Sequence, residues 1–141
     1  MKNERGFSLI ELLVVVGILM IISAIAIPGL KRARQNANAG SAIQSLRTIT
    51  TAEYLYEKKF KRYGTLAQLA PEGTIDSHIG TGLKSAYSFT LTLTSSDRHF
   101  SVSASPLDDP TRLTHYFVDD SGVIRYNEGA PATVASPAIP R

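Results

Sequence analysis

No cysteine occurs among the 141 residues. That absence excludes a disulfide, a thiolate nucleophile and a Cys-ligated zinc, so any stability outside the cytoplasm must come from packing alone. Charge is missing from one long stretch: no Asp, Glu, Lys or Arg stands between Leu12 and Leu30. Catalytic groupings are missing as well. His78, His99 and His115 are scattered, and none has a carboxylate or cysteine at ligand spacing. No glycine-rich phosphate cradle follows a strand pattern. An enzyme is therefore not expected, and neither a cofactor nor a metal is implied. The acid pairs Asp108-Asp109 and Asp119-Asp120 stand beside Pro110 and Gly122, a context that favours turn formation over a calcium loop.

The length suits one domain. Its net charge of +3 is small but unevenly placed. Residues 28–63 carry eight Lys/Arg against Glu53 and Glu57, a local +6, whereas residues 64–141 carry five against eight acids, a local −3. A basic stem and an acidic head attract one another between copies of the chain, at short range and moderate salt.

From Phe7 to Ile27 a helix would be roughly 30 Å long, about one hydrocarbon core. Three readings compete for this segment: a secretory signal peptide, a plain membrane anchor, and an anchor with a processed leader. Met1–Arg5 is a short basic start, and Ala24-Ile25-Ala26 fits a signal-peptidase site, which would free a soluble protein. Glu11 argues against disposal, because a carboxylate in the apolar run costs about 2.5–3.5 kcal/mol on insertion scales. It needs a cationic partner. Cutting between Gly6 and Phe7 would create an ammonium four residues before Glu11, on the same helical face. The amine of an adjacent copy could reach Glu11 equally well, and in a low dielectric such a pair favours association of like chains.

The run Lys2-Asn3-Glu4-Arg5-Gly6-Phe7-Ser8-Leu9-Ile10-Glu11-Leu12-Leu13-Val14-Val15-Val16 resembles the class III leader and N-terminus of type IV pilins and of the pseudopilins of type II secretion. The resemblance is close over residues 5–30 and weaker to about residue 60. It implies cleavage after Gly6 by a prepilin peptidase, N-methylation of Phe7, and a role for Glu11 in aligning subunits during assembly. The partners it implies are other copies in a helical filament, the peptidase/N-methyltransferase, the inner-membrane assembly machinery, and membrane lipid before assembly. The implied location is the inner membrane for the precursor, then a cell-surface filament with the head outside the cytoplasm. Lys31, Arg32 and Arg34 after the span outnumber Lys2 and Arg5 before it, so the positive-inside rule alone would orient the chain the other way; the orientation comes from the resemblance.

Pro28 and Gly29 interrupt the helical pattern and predict a kink or a melted stretch near residues 24–29. Beyond them Ala39, Ala42, Ile43, Leu46, Ile49 and Leu55 recur at helical spacing, predicting an amphipathic stem over residues 31–63 with the helix ending near Lys59. At its end Lys58, Lys59, Lys61 and Arg62 interleave with Tyr54, Tyr56, Phe60 and Tyr63. Such a pattern could contact nucleic acid. The simpler reading is cations at a helix C-terminus, aromatics filling core, and Gly64 as the stop.

Thr65–Ala70 reads as a capped helical turn ended by Pro71, and Gly73–Gly82 as a loop. Alternation at Tyr87–Thr94 and Phe100–Ser103, followed by Leu113–Val118 and Val123–Tyr126 flanking Asp119-Asp120-Ser121-Gly122, predicts four antiparallel strands. One sheet face is apolar and too small to fold alone, so the stem stripe must cover it. The expected fold is α+β, a long N-terminal helix packed on a four-stranded antiparallel sheet. It comprises a leader 1–6, a membrane and polymerisation helix 7–30, a stem 31–63, a head 64–128, and a Pro/Ala-rich tail 129–141 expected to be loose. The expected function is a structural subunit of a pilus-like filament, with a secretion pseudopilin or a single-span accessory subunit as alternatives.

Overall fold

The computed structural model describes residues 7–94 and 96–140. Helix α1 spans Leu9–Phe60 without a break, with Pro28 inside it. The backbone stays helical through residues 24–29, so the melted alternative is not what forms there. The chain divides into two compact units, residues 1–37 and 38–141, a division seven residues beyond the expected end of the membrane segment. In the first unit, every described residue from Phe7 to Arg34 is exposed.

The second unit is built on the C-terminal half of α1. Ala42, Leu46, Ile49, Ala52 and Tyr56 are buried there, at steps of three and four residues that hold one helical face. Leu55, expected on this stripe, is 51% exposed. It lies six residues after Ile49, which at 100° per residue turns it to the far side. Helix α1 ends at Phe60, next to the expected Lys59, and the chain leaves it at Lys61 rather than at Gly64. Lys61 takes a left-handed φ of 60° and its N–H donates to Glu57 O at 2.7 Å, so a cation occupies the position that glycine usually fills.

After this, α2 (Leu66–Leu69) passes into a 3₁₀ turn at Ala70–Glu72 that contains Pro71. Proline suits such a first turn, where its N–H is not required, so it does not stop the segment as expected. Thr65 N donates to Gln68 Oε1 at 2.9 Å, and Gln68 N donates to Thr65 O at the same distance, which secures the start of α2. The expected loop contains one helical turn, α3 (Ser77–Gly80), capped by Asp76 Oδ1 accepting from Ile79 N at 2.8 Å.

The sheet has five strands in the order β1 (Leu83–Lys84), β2 (Tyr87–Thr94), β3 (His99–Pro106), β4 (Thr114–Asp119) and β5 (Arg125–Glu128). All neighbours are antiparallel. The extra strand, β1, is two residues long and folds back through Ser85 and Ala86, at φ 50° and 59°. That is the mirror-image turn a two-residue hairpin requires, made without the Asn-Gly signal that would have announced it. Register stacks the core face in rows. Phe89, Ala104, Tyr116 and Tyr126 form one, and Leu91, Val102 and Val118 the next. This face and the α1 stripe belong to one apolar core.

The C-terminal segment is not loose. Arg125 pairs with Ala138 in a β-bridge, Tyr126 N donates to Pro137 O at 3.0 Å, and Ile139 N donates to Ile124 O at 2.9 Å. Arg125 also donates from a guanidinium NH₂ to Ser136 O at 2.9 Å, and Ala132 is buried. The segment's Pro/Ala-rich composition predicted that it would be loose. A run of backbone hydrogen bonds along the outer edge of β5 holds the segment in place instead.

Because the core is shared between α1 and the sheet, a fragment starting at Gly29 should unfold in a single cooperative transition, and one starting at Thr65 should not. Thermal melts followed by circular dichroism test this; a sharp melt from the shorter fragment would refute it.

Candidate functional site

The N-terminal apolar helix is the first candidate. Glu11 lies in the first turn of α1, where the unpaired amides and the helix dipole favour a negative charge. Ser8 O accepts the first helical hydrogen bond, from Leu12 N at 3.1 Å. Phe7 precedes that ladder and is 68% exposed. Gly6, the other half of the expected cleavage site, lies outside the described residues. From Leu9 to Leu30 the helix presents Leu, Ile, Val and Met all round. It is long and apolar enough to cross a membrane.

The basic end of α1 is the second candidate. Lys59 Nζ lies 2.6 Å from Glu72 Oε2 and 4.9 Å from the centre of the Phe60 ring, and Arg62 lies 3.6 Å from Asp97. These are exposed pairs that add little stability. Tyr54 and Tyr63 turn towards the chain's own head, while Tyr56 and Phe60 pack on one another along α1. Tyr54 donates to Asp120 O at 2.8 Å, Tyr63 packs edge-on against Phe100 at 4.8 Å, and Tyr56 packs against Phe60 at 4.4 Å. Lys58 and Lys61 have no ionic partner among the described residues.

The remaining polar groups serve turns and packing. Asp119 Oδ1 accepts from Ser121 N at 3.0 Å, the local bonding of a turn former. His99 pairs with Asp120, and His115 is buried between Ser105 Oγ at 3.2 Å and Pro110 O at 2.8 Å. Among the described residues no three His, Cys, Asp or Glu side chains cluster to hold a metal.

One residue was missed in the sequence. Glu53, counted there only as a charge, is fully buried. Its Oε2 accepts from Gly64 N at 2.9 Å, while Oε1 meets no donor among the described residues. Burial pushes its carboxyl up to about 7, opposed only by the Gly64 N–H. A Cβ on Gly64 would sit 3.0 Å from the Tyr56 ring, so a side chain here would require the ring to shift. Spacing could have found Glu53: it lies four residues after Ile49 and three before Tyr56, inside the buried stripe.

Residues 1–27 match the family model described as the prokaryotic N-terminal methylation motif. Two curated proteins are similar to part of the chain. The type IV wide pilus major component PilA4 of Thermus thermophilus is 53% identical over 38 residues, covering 27% of this chain and 29% of that protein. The type IV major pilin protein PilA of Myxococcus xanthus is 37% identical over 73 residues, covering 50% of this chain and 33% of that protein. The matched part thus spans about a third of the length of either relative.

Glu53 generates a pH dependence. Its folded value lies above the reference of 4.5, so the stability of the neutral form is complete below that pH and is lost as pH rises through about 7. Glu53→Gln cannot ionise and still accepts from Gly64. In the fragment starting at Gly29 it should flatten this decline and add up to about 3 kcal/mol above the transition. Urea melts across pH read the effect; an unchanged pH profile would remove Glu53 as its source.

Proposed function

From the N-terminal methylation motif that this chain carries, and its partial similarity to type IV pilins, we propose that it is a structural subunit of a type IV pilus-like filament, assembled through its N-terminal helix. The observation that carries this reading is the segment from Phe7 to Arg34. It is exposed throughout, uncharged from Leu12 to Leu30, and preceded by one carboxylate at Glu11. Such a surface is unfavourable in water and is covered either by lipid or by other helices.

The division of labour follows the chemistry along the chain. Hydrolysis between Gly6 and Phe7 frees an ammonium on Phe7, and N-methylation leaves its charge in place. In the inner membrane Glu11 awaits a cation. The Phe7 ammonium of an adjoining copy supplies it, so the pair draws a new subunit into register. Residues 7–30 then exchange lipid for neighbouring helices, and residues 31–63 continue the bundle as a stem. The head, 64–128, and its clasped tail, 129–141, lie outside the cytoplasm on the filament surface. Pro28 removes one helical hydrogen bond beside Gly29, making this the point where the helix bends or extends under load. The role is structural and not enzymatic.

Mass spectrometry of sheared filaments should recover a first peptide that begins at methylated Phe7. Peptides beginning only at Met1 would contradict the processing step. Glu11→Val should insert at least as well as wild type, since a charge leaves the apolar span, and should lose most filament yield. Breaking a buried pair from one side costs about 3–5 kcal/mol, and a filament repeats that loss at every subunit. Glu11→Asp should be intermediate. Normal filament yield from Glu11→Val, at equal membrane abundance, would leave the helix as an anchor only.

A further inference from the structure

The two edges of the sheet are treated differently. The outer edge of β5 is covered by the C-terminal segment through the Arg125–Ala138 bridge and its flanking hydrogen bonds. At the other edge, β1 covers only the beginning of β2, pairing Lys84 with Tyr87 and Leu83 with Ser88, and Phe89 N donates to Gly82 O at 2.7 Å. Beyond Phe89 the chain that would continue β1 has already turned into α3 (Ser77–Gly80). Residues 90–94 of β2 are therefore an open edge.

Which backbone groups face outward follows from alternation. Leu107 N donates to Ala86 O on the β3 side, whereas Phe89 N donates to Gly82 O on the β1 side. In an antiparallel ladder this parity persists along a strand. Ser88, Thr90, Thr92 and Thr94 thus exchange hydrogen bonds with β3, and Leu91 and Leu93 direct their N–H and C=O groups away from it. Among the described residues nothing meets these outward groups. Open edges are usually blunted by lysine, proline or a bulge. From Ser85 to Ser96 there is no charge, no proline and no glycine.

The segment is also its own complement. Thr90-Leu91-Thr92-Leu93-Thr94 reads the same in both directions. When two copies meet antiparallel about Thr92, Leu91 faces Leu93 of the second copy, Thr90 faces its Thr94, and Thr92 faces Thr92. Leucines then meet leucines on the core side and threonines meet threonines on the exposed side. Leu91 and Leu93 of opposite copies exchange both N–H···O bonds, satisfying every outward group. Such a two-fold contact is closed and uses the same patch on both partners.

We propose that residues 90–94 of β2 are a docking edge for the same segment of a second copy of this chain, paired antiparallel about Thr92. The two five-stranded sheets then run on as one. In a filament this contact links heads, and therefore joins neighbouring filaments side by side; it does not depend on the Phe7–Glu11 pairing.

The absence of cysteine makes the test clean. In the paired register Thr92 and its mate form a non-hydrogen-bonded pair with Cα atoms about 4.5 Å apart, within disulfide reach. Full-length Thr92→Cys in native membranes, under mild oxidation, should give a disulfide dimer several-fold more abundantly than Thr90→Cys or Thr94→Cys alone. Co-expressed Thr90→Cys and Thr94→Cys chains should cross-link to each other in preference to themselves. All three positions are exposed, and circular dichroism checks that the fold is retained. Equal cross-linking at the three positions would mean random collision, and no dimer from Thr92→Cys or from the mixed pair would mean no contact; either result overturns the proposal. Filament yield is read separately, so a failure here leaves the pilus reading standing.

Discussion

A backbone amide or carbonyl cannot be left unpaired in hydrocarbon, and a helix is the one arrangement by which a single segment pairs all of its own. For the proposed filament subunit, that requirement organises the rest of the structure. Apart from its ends and the one bond that Pro28 removes, helix α1 pairs its backbone internally from Leu9 to Phe60, so its side chains are free to differ along its length. Up to Arg34 they are exposed on every side; from Ala42 to Tyr56 one face is buried and the opposite face is wet. That change along one continuous helix is what the proposed filament subunit would need to leave lipid for a helical bundle.

The end of α1 carries more structure than its length suggests. Lys61 turns the chain out of the helix, Gly64 comes up against the Tyr56 ring, and the buried Glu53 carboxyl receives the Gly64 amide. A fully buried acid with one oxygen unpaired among the described residues is costly. Burial pushes the Glu53 carboxyl up to about 7, so the turn from stem to head is held by a group that changes charge near neutrality.

Without cysteine, the C-terminal region closes by other means. The segment after β5 lies along that strand through backbone hydrogen bonds, helped by Arg125 reaching Ser136. These bonds individually contribute about 1 kcal/mol, less than a disulfide, and they cover the β5 edge in the same stroke. The bare edge of β2 stands out because the opposite edge is covered.

Much of this was legible in the sequence. The uncharged run, the carboxylate before it, the helical stripe after it and the alternating strands are all local patterns with their own periods, 3.6 for helix and 2 for strand, and each survived into the structure. Local pattern failed where a residue's partner was distant. Leu55 matched the spacing of apolar residues but faces out. Glu53 looked like solvent charge but is buried, because only the packed sheet decides which face of α1 is covered. β1 is too short to show a period, and its turn forms at Ser85-Ala86 without glycine because β2 is there to pair with it. The tail looked disordered by composition, yet the β5 edge supplies backbone partners that composition does not record. The sequence by itself determined which segments are apolar, helical or extended, since those choices rest on side chains within a turn or two of each other. Tertiary structure alone decided which faces and edges are covered, because burial and hydrogen bonding there belong to pairs of segments brought together only by folding.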